Sequence, residues 1–286
     1  MSEKRRTFIQ IVSAVFFNGY AAGFVKGEIF KGKTKILCVP VLNCYSCPGA
    51  LGACPIGSLQ AVLSSRKYRF SFYVLGFIML FGIVLGRLIC GFLCPFGLIQ
   101  DLLHRIPVRK IKVNERLDHA LRYLKYVLLA VLVILLPVLI RNELNMGETW
   151  FCKYVCPAGT VAGLGLLAAN PALKDLIGFI FGWKMCILLI VVISSTLIHR
   201  PFCKYLCPLG AMYGLFSRFS LYQMNYDKSK CICCGKCEKV CPMNVKCTQD
   251  INTAECIRCG KCKAVCPVNA ITSTFGFSPA GKPKKQ

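Results

Sequence analysis

Between Cys231 and Pro267 the chain spells one phrase twice, C-I-C-C-G-K-C-E-K-V-C-P and then C-I-R-C-G-K-C-K-A-V-C-P. Each copy fits C-x2-C-x2-C-x3-C-P, and no other feature of the sequence restricts the fold as tightly. Three closely spaced thiolates can cap three corners of an iron–sulfur cube. The fourth lies too far along the chain to close the same cube and reaches the neighbouring one. The spacing therefore predicts a crossed assignment. Cys231, Cys234, Cys237 and Cys266 would hold one [4Fe–4S] cluster, and Cys256, Cys259, Cys262 and Cys241 the other. Pro242 and Pro267 turn the chain away with φ fixed and no donor to satisfy. Disulfide frameworks belong to small secreted chains, and zinc takes a single group of four ligands. A doubled run closing on C-P suits neither. Cys233 and Cys247 are left over and read as packed or free thiols.

The remainder of the chain is of a different character. Of its 286 residues 55% are hydrophobic, and the mean hydropathy is +0.56 although the last sixty or so residues are polar. The apolar residues therefore concentrate upstream, which points to a membrane protein. The fold class expected is mostly α: a four-helix transmembrane domain over 1–220 with cysteine-bearing helix ends, then a small α+β di-cluster bacterial-ferredoxin domain over 221–286. Twenty-one cysteines call for a reducing, cytosolic environment. The formal charge of +24 is partly cancelled by clusters of about −2 each. The remaining cations flank apolar segments, where a lipid bilayer is their natural partner, and no nucleic-acid motif accompanies them. No G-x-G-x-x-G or P-loop signals a nucleotide site.

Four spans are expected, at about 7–25, 70–89, 119–140 and 176–198. A twenty-residue helix covers ~30 Å of hydrocarbon. The loop carrying Arg105, Arg109, Lys110, Lys112, Arg116, Arg122 and Lys125 would stay cytoplasmic. That puts both termini and the ferredoxin domain on the cytoplasmic side of the inner membrane. Loop 141–175 would then lie outside, and so would Cys38–Gly57, although Lys26, Lys31, Lys33, Lys35, Arg66, Lys67 and Arg69 flank the latter against the same rule.

Within the apolar part C-P-x-G recurs at Cys54, Cys94, Cys156 and Cys207. Three copies have a partner four residues earlier, at Cys90, Cys152 and Cys203. Two of them, F-C-K-Y-V-C-P-A-G and F-C-K-Y-L-C-P-L-G, are nearly the same sequence, which indicates duplicated units. A C-x3-C pair sets two thiolates on one helical face, and two pairs can close a four-thiolate site. With the topology above, Cys90, Cys94, Cys203 and Cys207 would form a cluster site at the inner membrane end. Cys47, Cys54, Cys152 and Cys156 would form one at the outer end. Structural thiols or a zinc site is the alternative for both. His104, His119 and His199 read as interfacial residues, with His199 the candidate for handling a quinol proton. Lys184 reads as an intramembrane cation that snorkels to the outer edge, and Cys186 as a packed residue.

C-x3-C-P motifs at span ends, followed by a double ferredoxin run, resemble the NapH/MauN/CcoG-type polytopic iron–sulfur membrane proteins, which are related to the membrane half of NosR. The resemblance extends from about Phe70 to Ala270. It implies four helices, cytoplasmic ferredoxin clusters, and electron delivery from quinol or a cytoplasmic donor to a partner redox protein. The matching pairs are Cys90/Cys94 and Cys203/Cys207. The pair Cys152/Cys156 and the loop Cys38–Cys54 are departures, as is the lack of an appended flavin domain. The expected role is thus an electron-transfer subunit of an oxidoreductase with no substrate chemistry of its own. A maturation or metal-reduction factor and a redox sensor are the alternatives.

Overall fold

The computed structural model describes residues 3–64, 72–111, 113–141, 147–170 and 178–276. Among the expectations above, those on Arg66, Lys67, Arg69 and Lys112, and the first residues of the spans at 70 and 176, lie outside these.

Two helical stretches are long and apolar enough to cross a membrane. One begins as α7 (Glu115–Leu128), passes through a π-helical segment over Leu129–Leu135, and ends as α8 (Leu136–Leu139). The other is α11 (Phe179–Leu197). Only 22% and 17% of their most apolar windows are buried inside the protein, so these apolar surfaces face outward, as a lipid-facing helix requires.

Within the described residues the other two expected spans are shorter than predicted. Helix α1 (Glu3–Phe17) ends at Asn18-Gly19, and α4 (Phe72–Leu85) ends at Gly86, whose φ of +56° is left-handed. At 1.5 Å per residue each covers a little over 20 Å, less than the hydrocarbon core. The buried face of α1 is polar. Arg6 pairs with Asp101 at 3.0 Å, Gln10 donates to the Gly91 carbonyl at 3.1 Å, and Ser13 donates to the Leu93 carbonyl at 2.9 Å. That polar face docks on α5 (Leu88–Phe92) and α6 (Pro95–Leu103).

All four C-P-x-G turns start helices. Pro55, Pro95, Pro157 and Pro208 are the first residues of α3 (Pro55–Ser64), α6, α10 (Pro157–Ala169) and α12 (Pro208–Phe216). Proline suits a first helical turn because that turn lacks a partner for its N–H and needs φ near −65°. The cysteine before it is extended, with ψ between 110° and 116° at Cys94, Cys156 and Cys207, as the residue before proline must be. Further short helical pieces of this domain are α2 (Ala22–Lys26), Lys33–Ile36, α9 (Trp150–Tyr154) and Phe202–Leu206.

Downstream, β1 (Tyr222–Tyr226) and β2 (Ile271–Phe275) pair antiparallel, from Tyr222 opposite Phe275 to Tyr226 opposite Ile271. They bracket α13 (Lys236–Lys239) and α14 (Lys261–Val265). The two cysteine phrases fold alike. Cys233 and Arg258, Gly235 and Gly260, and Asn244 and Asn269 occupy the left-handed region in matching places. This module is pressed on the helical domain so closely that a Cβ at Gly91 would stand 2.5 Å from the Ile257 carbonyl oxygen.

Candidate metal centres

The ferredoxin-like module contains two cavities. One, of about 240 Å³, is lined by Cys231, Cys234, Cys237 and Cys266. The second, of about 20 Å³, is lined by Cys241, Cys256, Cys259 and Cys262. Each cavity thus gathers three cluster-type cysteines of one phrase and the last cysteine of the other, with Cys233 also lining the first and Cys247 the second. Main-chain donors point at the crossing thiols: Val245 N–H to Cys241 Sγ at 3.4 Å and Ala270 N–H to Cys266 Sγ at 3.2 Å. Cys247 is buried between Cys241 and Cys262, and Cys233 is exposed. Burial pushes the Cys256 thiol up to about 12, so its charged form requires a cation beside it.

In the helical domain Cys90, Cys94, Cys203 and Cys207 are all buried. Each lies within electrostatic reach of the others: Cys203 acts on Cys90, Cys94 on Cys203, and all three others on Cys207. Gln100 Nε2 donates to Cys203 Sγ at 3.0 Å, and Gln100 Oε1 accepts from Phe202 N–H at 3.2 Å. Gly210 N–H, in the first turn of α12, donates to Cys207 Sγ at 3.4 Å. Arg200 donates to the Cys90 carbonyl at 2.6 Å, and Arg87 to the Cys203 carbonyl at 3.0 Å. A helix N-terminus and two guanidiniums therefore face four thiols, a setting that favours bound negative charge.

The outer set differs by one residue from the expectation. Cys54, Cys152 and Cys156 come together, but their fourth neighbour is Cys44. Cys47 acts on Cys44 alone among these. The chain from Cys44 to Cys47 is a tight turn, with Cys47 N–H bonded to the Cys44 carbonyl at 3.0 Å. It directs the earlier thiol toward α10 and leaves the later one behind. Nor do the two sets sit at opposite ends of a bilayer. The Leu42 N–H is turned to Cys94 and the Asn43 N–H to Cys54. Consecutive residues are 3.8 Å apart, so the two sets lie on the order of 10 Å from one another. Tyr213 is buried beside both. Its hydroxyl donates to the Pro40 carbonyl at 3.0 Å and feels the charge of Cys90, Cys94, Cys207 and Cys54.

Sequence reasoning missed three carboxylates that organise this region. Asp101 holds Arg6, Arg200 and His199. Asp118 holds Arg122, Lys204 and the Tyr205 hydroxyl. Glu255, next to a cluster-type cysteine, takes Arg87 at 3.0 Å and Lys125 at 2.5 Å. Arg122 and Lys125, expected in a cytoplasmic loop, lie on α7 and are paired with Asp118 and Glu255. The candidate quinol residue His199 faces Asp101, and burial holds its imidazole down to about 4. Lys184 turns inward, with Nζ 3.3 Å from the Cys152 carbonyl. Gln60, whose Nε2 donates to Cys152 Sγ at 3.4 Å, and Gln100 both stand in C-P-x-G-x-x-Q, a pattern present in the sequence.

Among the described residues no three Cys, His, Asp or Glu side chains converge as a single metal ion requires. Zinc would draw four sulfurs to within ~2.3 Å of one point, whereas a four-iron cube spreads them over its corners. The donor sets are all thiol, the ligand type that iron–sulfur cubes take.

A family described as a 4Fe-4S binding domain matches residues 69–114, 126–167 and 179–223, and a second 4Fe-4S binding domain family matches 250–272. The ferredoxin-type protein MauN of Paracoccus denitrificans is 30% identical over 55% of this chain and 48% of its own length. A putative electron transport protein, YccM of Escherichia coli, is 28% identical over 57% and 43%. The ferredoxin-type protein NapH of Haemophilus influenzae is 30% identical over 58% and 51%. The chain spans about half to two thirds of the length of the first relatives it matches. No solved structure matches it.

Proposed function

We propose that this chain, a NapH/MauN-like 4Fe–4S ferredoxin-type protein, is the electron-transfer subunit of a membrane oxidoreductase, passing electrons between a cytoplasmic donor or the quinone pool and a partner redox protein. What carries the reading is that each cavity of the module is lined by one crossed cysteine quartet. In this reading Cys231, Cys234, Cys237 and Cys266 hold one [4Fe–4S] cluster and Cys256, Cys259, Cys262 and Cys241 a second. Cys90, Cys94, Cys203 and Cys207 hold a third in the helical domain. Bound clusters supply one-electron carriers; the protein sets their potentials through burial, hydrogen bonds to sulfur and nearby charge.

The chain's own residues divide that work. Cys234 and Cys233 are exposed, so the first cavity is the entry for a soluble partner. The second faces inward, against Gly91 and Arg87. Glu255 fixes that contact by neutralising two cations, Arg87 and Lys125, that the helical domain could not otherwise bury. Helices α7–α8 and α11 anchor the domain in the bilayer. The module and both termini face the cytoplasm in this reading, because so many thiols need a reducing compartment.

The test uses full-length protein purified without oxygen and placed in proteoliposomes. Iron and sulfide analysis is expected to give at least about twelve of each per chain, with low-temperature EPR signals after reduction. Electrons from reduced viologen or from quinol should reach an added acceptor, and Cys237→Ser should block the viologen route. Colourless, EPR-silent protein rich in zinc would overturn the proposal.

A further inference from the structure

We propose that Cys44, Cys54, Cys152 and Cys156 form a second [4Fe–4S] site in the helical domain, built on the same plan as the Cys90–Cys94–Cys203–Cys207 site. The inference rests on the reading of that first site as cluster-bearing, and goes beyond it. Two of the four thiols, Cys44 and Cys54, lie outside the segments that match a cluster-binding family.

The two C-P-x-G turns of this site interlock. A Cβ at Gly57, in the turn after Cys54, would lie 3.8 Å from Cys152 Sγ. A Cβ at Gly159, in the turn after Cys156, would lie 3.9 Å from Cys44 Sγ. Each turn is therefore packed against a thiol contributed by another segment. Cys54 and Cys156 are buried, and both are followed by the prolines that open α3 and α10.

The second observation is a repeated glutamine clamp. Gln60 Nε2 donates to Cys152 Sγ at 3.4 Å while Gln60 Oε1 accepts from Phe151 N–H at 3.0 Å. Gln100 makes the same two bonds to Cys203 Sγ and Phe202 N–H. In both, the glutamine of C-P-x-G-x-x-Q reaches across to the F-C-K-Y segment of a different pair. A buried amide spanning a main-chain N–H and one sulfur holds that sulfur in a fixed direction, and it recurs where the other four-thiol set stands.

Charge repeats as well. The first site has Arg87 and Arg200. This one has Lys184, with Nζ 3.3 Å from the Cys152 carbonyl, and the buried Lys35, which donates to the Ala50 carbonyl at 2.7 Å. Two cations match the charge of about −2 of a cube on four thiolates. Lys184 in an otherwise apolar α11 thus has a local reason to point inward.

Full-length protein purified without oxygen decides the matter by iron and sulfide content and by EPR. Wild type is expected to carry about sixteen Fe per chain. Cys54→Ser/Cys156→Ser and Cys44→Ser should each carry about twelve, with the module signals intact, and Cys47→Ser about sixteen. Gln60→Leu, which keeps every thiol and guards against a folding failure, should shift the midpoint potential of one EPR signal. Gln100→Leu should shift a different one. Iron unchanged in Cys54→Ser/Cys156→Ser, stoichiometric zinc in the wild type, or no potential shift in Gln60→Leu would overturn this site. If Cys90→Ser/Cys207→Ser still loses about four Fe, only this inference has failed. If that variant also keeps its iron, the parent reading has failed with it.

Discussion

The module and the helical domain hold cysteines by opposite means. In the module, thiols sit on loops and on the short helices α13 and α14, Cys233 and Cys234 among them exposed, and their geometry comes from the backbone: left-handed Gly235, Gly260, Arg258 and Cys233, and N–H groups aimed at sulfur. In the helical domain Cys54, Cys94, Cys156 and Cys207 stand at helix N-termini, buried, and the surroundings of the thiols come from side chains: Gln60, Gln100, Arg87 and Arg200. A loop of fixed spacing can build its site alone, whereas a buried site must import charge and donors from elsewhere in the chain. The helical sites therefore depend on tertiary contacts to a degree the module sites do not.

The sharpest way to break that contrast is at the seam. Glu255→Ala strands Arg87 and Lys125 without a counter-charge, and is expected to cost about 3–5 kcal/mol. Anaerobic denaturant titration should show it, with the helical domain losing its clusters before the module does. Equal loss in both would erase the distinction. Gly91→Val drives a side chain against the Ile257 carbonyl, and overpacking of this kind costs about 1–3 kcal/mol. Faster amide exchange confined to residues near 254–258 and 87–93 is the expected signature.

A pH dependence comes next. Burial holds His199 down to about 4, below its ordinary 6.5, with Asp101 opposing. Its neutral form is the one the fold accepts. The stability it contributes is complete above pH 6.5 and is lost as pH falls toward 4. His199→Gln should flatten the denaturation midpoint across that window, while a parallel slope in wild type and variant would remove His199 from the account. Smallest is Glu3→Ala. Its 3.1 Å pair with Lys261 bridges α1 to the module at the exposed surface, and losing it should change stability by no more than about 1 kcal/mol.

Much of the ferredoxin module was legible from spacing, because three cysteines within one short loop can reach only one cavity. The helical sites were legible in part. C-P-x-G announced its own turns, since proline and glycine act locally, and the pairing of Cys90/Cys94 with Cys203/Cys207 came from the expected topology. Cys44 could not be distinguished from Cys47, because the choice lies in a turn that presents one thiol and withdraws the other. The first expected span differs from α1 at its end, since the helix stops at Phe17, before Asn18-Gly19.

The sequence by itself determined the local chemistry: which cysteines share a loop, where helices α3, α6, α10 and α12 must begin, and which stretches are apolar enough to meet lipid. Tertiary structure alone decided which distant thiols meet, how Asp101, Asp118 and Glu255 gather the buried cations, and that two four-thiol sets lie side by side around Tyr213. The division has a physical cause. Backbone dihedrals and loop reach act over a few residues and leave a readable pattern, whereas burial and charge pairing depend on groups a hundred or more residues apart, as Arg87 and Glu255 are.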